Sequence, residues 1–315
     1  GEFIFLAADL YRMTRDRARL EQRWPRVLAA AEWLESLRQS ERTPENQTPE
    51  RRHLYGLLPP SISHEGYSDK PAYSYWDDFW GLIGFQDAAW LAEVVGDRAA
   101  HEKLAKRRDE FQNELYASLR ASAARHTVPF LPGAADRGDF DATSTTIALA
   151  PGREGRRLPR DLLLGTFERY WEEFSARRSG KTSWDAYTPY EWRVAGSFIR
   201  LGWRERAQVL VDYFMADRRP ARWNQWAEVI GRDARQPRFI GDMPHAWVSS
   251  DYMRSVLDLF AYARDEDQAL VLAAGVPAAW IDGAGFAIRG LRTAYGPLDL
   301  SVARAAGQVV VSVSG

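Results

Sequence analysis

Cysteine is absent from this chain of 315 residues, which excludes disulfide bonds, thiolate metal ligands and a cysteine nucleophile. Histidine is scarce, and its five copies are too widely spaced to indicate a zinc motif. The sequence also lacks a glycine-rich phosphate-binding loop and a G-x-S-x-G nucleophile elbow. Catalysis by this chain would therefore depend mainly on carboxylates, and we predict neither a metal site nor a cofactor.

Long hydrophobic runs and a strong charge of one sign are missing as well. No stretch approaches the roughly eighteen consecutive apolar residues that indicate a membrane-spanning helix, and no signal peptide is visible. The formal net charge is −1, which provides no general attraction to nucleic acids or to anionic membranes. We therefore expect neither nucleic acid nor membrane as a partner, while the oligomeric state and the cellular compartment stay open.

Aromatic residues, by contrast, are plentiful, with 13 Trp, 13 Tyr and 14 Phe. Several of the tryptophans stand outside the segments of helical periodicity, where the packing of a core does not account for them. A flat apolar ring with a hydrogen-bonding edge suits a ligand that alternates C–H faces with hydroxyl groups. Sugars have this character, so the composition favours a carbohydrate substrate.

Apolar residues recur with helical spacing through most of the first 267 positions. Helices rich in Gly, Ala and aromatic residues alternate with plainly amphipathic ones, which predicts an inner and an outer ring of helices. Pro25 implies a kink or a later start in the second helix. Nine helices and no strand are predicted here, over residues 3–13, 17–39, 77–95, 98–124, 141–149, 160–177, 188–202, 204–217 and 244–264.

Four long connections precede the more apolar helices, at residues 41–75, 127–140, 178–188 and 218–243. Unstructured connections of this length are usually functional, and these would gather at one end of the ring. After Asp267 the composition changes to short runs with β-branched residues, separated by Gly and Pro. We therefore predict a helical domain over 1–267 and a β region over 268–315.

Three segments carry a resemblance to a known superfamily. YSYWDDFWGLIGFQDAAWLAE at 73–93 is similar to the trehalase segment in which a Tyr-Trp-Asp run opens an inner helix. RWNQWAEVIGRDARQPRFIGDMPHAWVSSDYMRSVLDLF at 222–260 resembles the end of the α-L-rhamnosidase barrel, where a Trp-Glu pair precedes the last inner helix. The opening segment, from Gly1 to Leu37, resembles a mid-barrel helical hairpin of the same enzymes.

The chain thus resembles the (α/α)6-barrel glycoside hydrolases, a superfamily that also includes glucoamylase. The resemblance implies a mainly α protein, an (α/α)6 toroid with a short β region after its last helix. Complete barrels of this superfamily have twelve helices, so the resemblance also implies that about three N-terminal helices are missing here. The implied activity is hydrolysis of an oligosaccharide or polysaccharide with inversion of the anomeric centre.

An inverting glycosidase needs one carboxylic acid to protonate the leaving oxygen and one carboxylate to activate water. Glu228, in WNQWAEV, follows two tryptophans in a long loop and matches the Trp-Glu base of the rhamnosidase-like enzymes. Glu65, in SISHEGYSD, is the predicted acid, since related phosphorylases place their acid in a comparable loop. Asp185 and Glu191, in TSWDAYTPYEW, are the alternatives for the acid.

The remaining predicted site residues would bind sugar hydroxyls or stack on sugar rings. Asp78 is favoured slightly over Asp77 by resemblance to trehalase, whereas Asp139 and Asp141 are predicted to be helix caps. The substrate-binding set is Trp76, Asp78, Trp80, Tyr190, Trp192, Arg193, Trp223, Trp226, Asp242 and His245. For each member a structural role, in the core or in a salt bridge, is the competing interpretation.

Three other functions fit the same toroid. A glycan phosphorylase would replace the base with bound phosphate and would need a cationic pocket. A polysaccharide lyase would use Tyr, His or Arg beside a uronate and would release an unsaturated product. A non-catalytic sugar-binding toroid would bind without turnover.

Overall fold

Residues 1–63, 66–233, 243–264 and 267–315 are described by a computed structural model of the chain. These residues form a mainly helical protein. The α-helices are α1 Glu2–Thr14, α2 Arg17–Ser40, α3 Tyr75–Val95, α4 Arg98–His126, α5 Ala142–Leu149, α6 Arg160–Arg178, α7 Trp192–Arg200, α8 Arg204–Ala216, α9 Ala246–Phe260 and α10 Ala278–Asp282. The prediction of a mainly helical chain is therefore confirmed, and the first nine helices correspond to the predicted segments.

Local sequence accounts for where several helices begin and end. Asp16, Asp97 and Asp141 each precede a helix and accept a hydrogen bond from the backbone N–H three residues later, as N-cap residues do. Gly96 ends α3 with a positive φ of 84°, a conformation that glycine adopts without steric cost. Pro25 lies inside α2, so the helix does not start later as one predicted alternative had it.

The described strands are β1 Ala186–Tyr187, β2 Ile230–Gly231, β3 Ala261–Arg264, β4 Ala269–Leu272, β5 Phe286–Thr293, β6 Gly296–Ala305 and β7 Gln308–Ser314. Two predictions were wrong here. The last predicted helix was extended to residue 264, but α9 ends at Phe260 and its continuation pairs with β4 as a strand. The helical part was also expected to contain no strand, whereas β1 pairs with β2. Periodicity over so few residues does not separate strand from helix.

The chain divides into two compact units, Gly1–Thr166 and Phe167–Gly315. The predicted domain division at residues 267 and 268 stays a prediction. In the first unit α3 is the most buried long helix and packs against α1, α2, α4 and α5. Side-chain contacts run in step from Phe5–Trp80 to Tyr11–Trp90, so α1 and α3 are parallel.

Helices α3 and α4, in contrast, form an antiparallel hairpin. Tyr75 at the start of α3 is hydrogen-bonded to Ser118 late in α4, at 2.7 Å. Near the end of α3, the carbonyl of Ala89 is hydrogen-bonded to His101, early in α4, at 2.9 Å. Only Gly96 and Asp97 connect the two helices, and such a short connection is typical of an antiparallel helical pair.

In the second unit α7 is almost completely buried and packs against α8 and α9. The C-terminal strands form an antiparallel sheet in the order β5–β6–β7, with Leu298, Leu300 and Val302 of β6 in its core. The predicted small β region at the C-terminus is therefore confirmed. Among the described residues no helix is long and apolar enough to span a membrane.

Candidate functional site

Two predicted site residues, Tyr190 and His245, meet in the second unit where α7 and α9 begin. Tyr190 lies in a 3-10 turn, Pro189–Glu191, whose start is capped by the hydroxyl of Thr188. His245 is the residue that directly precedes α9. Because α7 and α9 are neighbours, these two N-terminal positions are adjacent. The Tyr190 hydroxyl and His245 Nε2 are hydrogen-bonded at 2.7 Å.

Trp247 adds a second aromatic ring beside Tyr190. The two ring centroids are 5.2 Å apart with an interplanar angle of 58°. Trp247 is 40% exposed, whereas Tyr190 and His245 are half-buried. The cluster therefore offers an accessible apolar surface next to hydrogen-bonding groups, a combination that suits a sugar ring.

Arg193, the second residue of α7, connects this cluster to α9. Its guanidinium carbon lies 5.0 Å from the ring centroid of Tyr190 and 5.8 Å from that of Trp247. Its Nε lies 3.1 Å from Oδ2 of Asp251, and both side chains are buried. The Arg193 guanidinium thus contacts both aromatic rings and is also paired with the carboxylate of Asp251 in α9.

The charge of Glu228 acts on this cluster. Burial raises the pKa of the Tyr190 phenol above its usual value, and the neighbouring Glu228 carboxylate raises it further. Asp251 also raises the pKa of Tyr190, while Arg193 lowers it. Tyr190 is therefore neutral at physiological pH and acts as a hydrogen-bonding group. Glu228 itself is half-buried.

The Asp251 carboxyl is a further perturbed group of this region. Burial raises its pKa to about 6, and this effect outweighs the opposing charges of Arg193 and Arg254. A buried carboxylate beside an arginine is expected to stay ionised where the pair is well hydrogen-bonded. Here Nε of Arg193 lies 3.1 Å from Oδ2 of Asp251, and the desolvation of the carboxylate is still the larger effect on its pKa.

The geometry does not favour Glu191 as an acid, although it follows Tyr190 directly. Its carboxylate accepts hydrogen bonds from Arg177 at 2.8 and 2.6 Å and from the Tyr170 hydroxyl. Only 6% of the residue is exposed. Both carboxylate oxygens thus form a buried ion pair with Arg177 of α6, which gives Glu191 a structural role. Asp185, the other alternative acid, is exposed.

Two predicted tryptophan platforms are core residues instead. Trp192 is fully buried and packs on Trp226, with ring centroids 5.4 Å apart. Trp226 is 2% exposed and donates its indole N–H to the carbonyl of Phe214 at 2.9 Å. Neither ring can stack on a ligand, because other side chains already cover it. Trp223, in contrast, is 61% exposed.

In the first unit the predicted choice of Asp78 is also corrected. Asp78 is fully buried and accepts a hydrogen bond from the backbone N–H of Leu58 at 2.9 Å. Burial raises its pKa well above the usual range. Asp77, one residue earlier, is only half-buried and accepts from the hydroxyls of Ser61 and Ser63 at 2.5 and 3.0 Å. It is the accessible carboxylate of the pair.

Trp76 and Trp80 belong to the same helix, α3. Trp76 is 4% exposed, which leaves little surface for a ligand, and its ring packs edge-on against Trp80. Asp141 caps α5 as predicted, and Asp139 accepts from the Tyr67 hydroxyl at 3.0 Å. The first unit therefore has a polar cluster of its own, in which the carboxylates are engaged by serine and tyrosine hydroxyls.

Two predicted residues, Glu65 and Asp242, lie outside the described residues. Neither Asp251 nor Trp247 was among the residues that the sequence predicted for the site. The seven-residue spacing of Arg193 and Arg200, matched by that of Asp251 and Asp258, is a signal that could have identified the arginine–aspartate pairing. Within the described ranges, no group of three or more His, Cys, Asp or Glu side chains could hold a metal ion.

Comparison with known proteins adds no family assignment: the chain matches no protein-family model and no curated protein.

Proposed function

We propose that this chain belongs to a helical toroid that hydrolyses glycosidic bonds with inversion, and that Glu228 is the catalytic base. The observation that carries the proposal is the cluster at the N-terminal ends of α7 and α9. There a carboxylate, an accessible tryptophan and the hydrogen-bonded Tyr190–His245 pair share one location. Sugar hydrolases combine these three elements, because they stack the ring, fix its hydroxyls and activate water.

The toroid part of the proposal is supported by helix directions within each unit. In a toroid of helical hairpins, successive inner helices run parallel and each outer helix returns antiparallel. Helices α1 and α3 are parallel, and so are α7 and α9, whose paired residues advance together from Arg193–Asp251 to Arg200–Asp258. Helix α4 returns antiparallel to α3. Two odd-numbered helices, α5 and α7, are also almost completely buried, as inner helices would be.

In the proposed reaction, Glu228 removes a proton from a water molecule as that water attacks the anomeric carbon. The bond from that carbon to the leaving oxygen breaks, and a carboxylic acid gives its proton to this oxygen. Glu65 is the acid that the sequence favours, and that assignment stays a prediction. Tyr190 and His245 would hydrogen-bond the sugar hydroxyls, while Trp247 would support the ring.

The test is turnover of aryl glycosides and oligosaccharides by the chain and by Glu228→Gln. Loss of a general base is expected to lower kcat by about 10²-fold or more. Glu172→Gln is the matched control, because Glu172 is an exposed glutamate of α6. The anomer first released, observed by proton NMR, should be inverted relative to the substrate. If the parent chain turned over a glycoside and Glu228→Gln had the same kcat, the assignment of Glu228 as the catalytic base would be refuted.

One observation favours a second function, a polysaccharide lyase. Such an enzyme abstracts a proton next to a uronate carboxylate, and Tyr190, His245 and Arg193 are residue types suited to that step. The hydrolase is favoured nevertheless, because the pKa of Tyr190 is raised and a neutral phenol is a poor base. The negative charge of Glu228 would also repel a uronate.

Product chemistry separates the two functions. A lyase would release an unsaturated uronate that absorbs in the ultraviolet, without consuming water, whereas a hydrolase would release a saturated reducing sugar. Strict dependence of turnover on inorganic phosphate would instead indicate a phosphorylase. Binding without turnover, retained in Glu228→Gln, would indicate a non-catalytic toroid.

A further inference from the structure

Two arginine–aspartate pairs join α7 to α9, two helical turns apart. Arg193 pairs with Asp251 at 3.1 Å, and Arg200 pairs with Asp258 through contacts of 2.8 and 2.9 Å. Residues seven apart lie on nearly the same face of a helix, so both pairs lie on one seam. Both are ion pairs between the same two helices, and the second is also hydrogen-bonded through two guanidinium nitrogens.

The two pairs differ in what surrounds each arginine. Arg193 contacts the rings of Tyr190 and Trp247, the aromatic members of the candidate site. Arg200 contacts the ring of Tyr262 in β3, at 4.4 Å, and none of its described contacts involves the site. The second pair therefore provides an internal standard for what such a pair contributes to helix packing alone.

From this geometry we infer that Asp251 is a positioning residue, which holds the Arg193 guanidinium against Tyr190 and Trp247 and so fixes the sugar-binding surface. The expected effect on turnover rests on the proposed function, whereas the expected effect on the positions of Arg193 and Trp247 does not. Asp251 is 7% exposed, so it acts through Arg193 and does not contact a substrate.

The physical reason is the cost of an uncompensated charge. A buried guanidinium that loses its carboxylate partner is strongly destabilised and moves toward water. The planar group would then leave the faces of Tyr190 and Trp247, because its stacking on them is much weaker than its need for solvation.

The experiment compares Asp251→Asn with Asp258→Asn. Each variant removes one negative charge from the same helix. The orientation of Trp247 is followed by fluorine NMR of protein labelled with fluorotryptophan. Its resonance among the 13 tryptophans is assigned by its absence in Trp247→Phe. We expect the Trp247 resonance to shift in Asp251→Asn and to stay in place in Asp258→Asn.

Turnover supplies the second measurement. A displacement of about 1 Å in a binding group can lower the rate about 10²-fold, so kcat/KM should fall at least about tenfold in Asp251→Asn. Asp258→Asn should keep the parent value. Arg193→Lys, which retains the charge but has no planar group, should shift the Trp247 resonance as Asp251→Asn does.

Each outcome decides between the alternatives. Equal resonance shifts in the two aspartate variants, or a shift in neither, would overturn the positioning role and leave Asp251 as a packing residue. A shift confined to Asp251→Asn, in a chain that turns over no glycoside, would refute the glycosidase proposal and support the positioning of the aromatic pair.

Discussion

Replacing Glu191 by Gln tests the distinction between a structural and a catalytic carboxylate. Glu191 is bound by two nitrogens of Arg177 and by the Tyr170 hydroxyl, and 6% of the residue is exposed. The substitution keeps the shape of the side chain but leaves the Arg177 guanidinium without its countercharge. Removing one partner of a buried ion pair costs about 3–5 kcal/mol.

The lower part of that range applies here, because the Gln oxygen still accepts one hydrogen bond and Arg177 is partly exposed, at 15% of its side chain. We therefore expect a loss of about 3 kcal/mol in the free energy of unfolding. For a unit the size of Phe167–Gly315, each kcal/mol lowers the Tm by about 2–4 °C. The expected decrease is about 6–12 °C, well above the error of differential scanning calorimetry.

Two controls define the result. Glu228→Gln changes the same functional group on a half-buried residue, so its Tm should stay within about 2 °C of the parent value. Tyr170→Phe removes only one hydrogen bond to the carboxylate and should cost about 1.5 kcal/mol. If Glu191→Gln had the same Tm as Glu228→Gln, the buried ion pair would contribute nothing to stability, and the structural role of Glu191 would be refuted.

Three further predictions concern burial and charge. Asp78→Asn should stabilise the protein increasingly as the pH rises above about 4. Because the pKa of Asp78 is raised in the folded state, its stabilising effect is complete below the pKa of the unfolded state and is lost as the pH rises, whereas Asn cannot ionise. If the urea midpoints of variant and parent differed equally at pH 4 and pH 7, the prediction would be contradicted. Trp192→Ala should cost about 3–5 kcal/mol, because the ring is fully buried, and a loss under 1 kcal/mol in urea unfolding would count against it. Glu32→Gln should destabilise the protein at pH 7 but hardly at pH 2. Hydrogen bonding to Arg107 lowers the pKa of Glu32 to about 2, so the stability that the ionised carboxylate provides disappears as the pH falls through that value. An equal decrease in Tm at both pH values would contradict this role of Glu32.

Local sequence was sufficient for most of the secondary structure. Apolar spacing predicted the first nine helices, and an aspartate followed by a helical segment predicted the cap at Asp141. The change to short β-branched runs predicted the C-terminal sheet. These features depend on residues within a few positions of one another, which is why the sequence carries them. The strand from Ala261 to Arg264 was missed because its partner, β4, decides its conformation.

The side chains of the site depended instead on packing between distant elements. Glu191 and Tyr190 are neighbours in the chain, yet one binds Arg177 on α6 and the other binds His245 before α9. Consecutive residues of a helix point about 100° apart, so a difference of one position decides between core and solvent. Asp77 and Asp78 differ in the same way.

The sequence by itself thus determined the helical class of this protein and its C-terminal strands. Only the tertiary structure decided which aromatic and acidic residues are accessible, because accessibility is produced by the elements that cover a residue. Trp192 and Trp247 show the difference: both occur near helix starts in aromatic surroundings, but α8 and α9 cover the first and leave the second exposed.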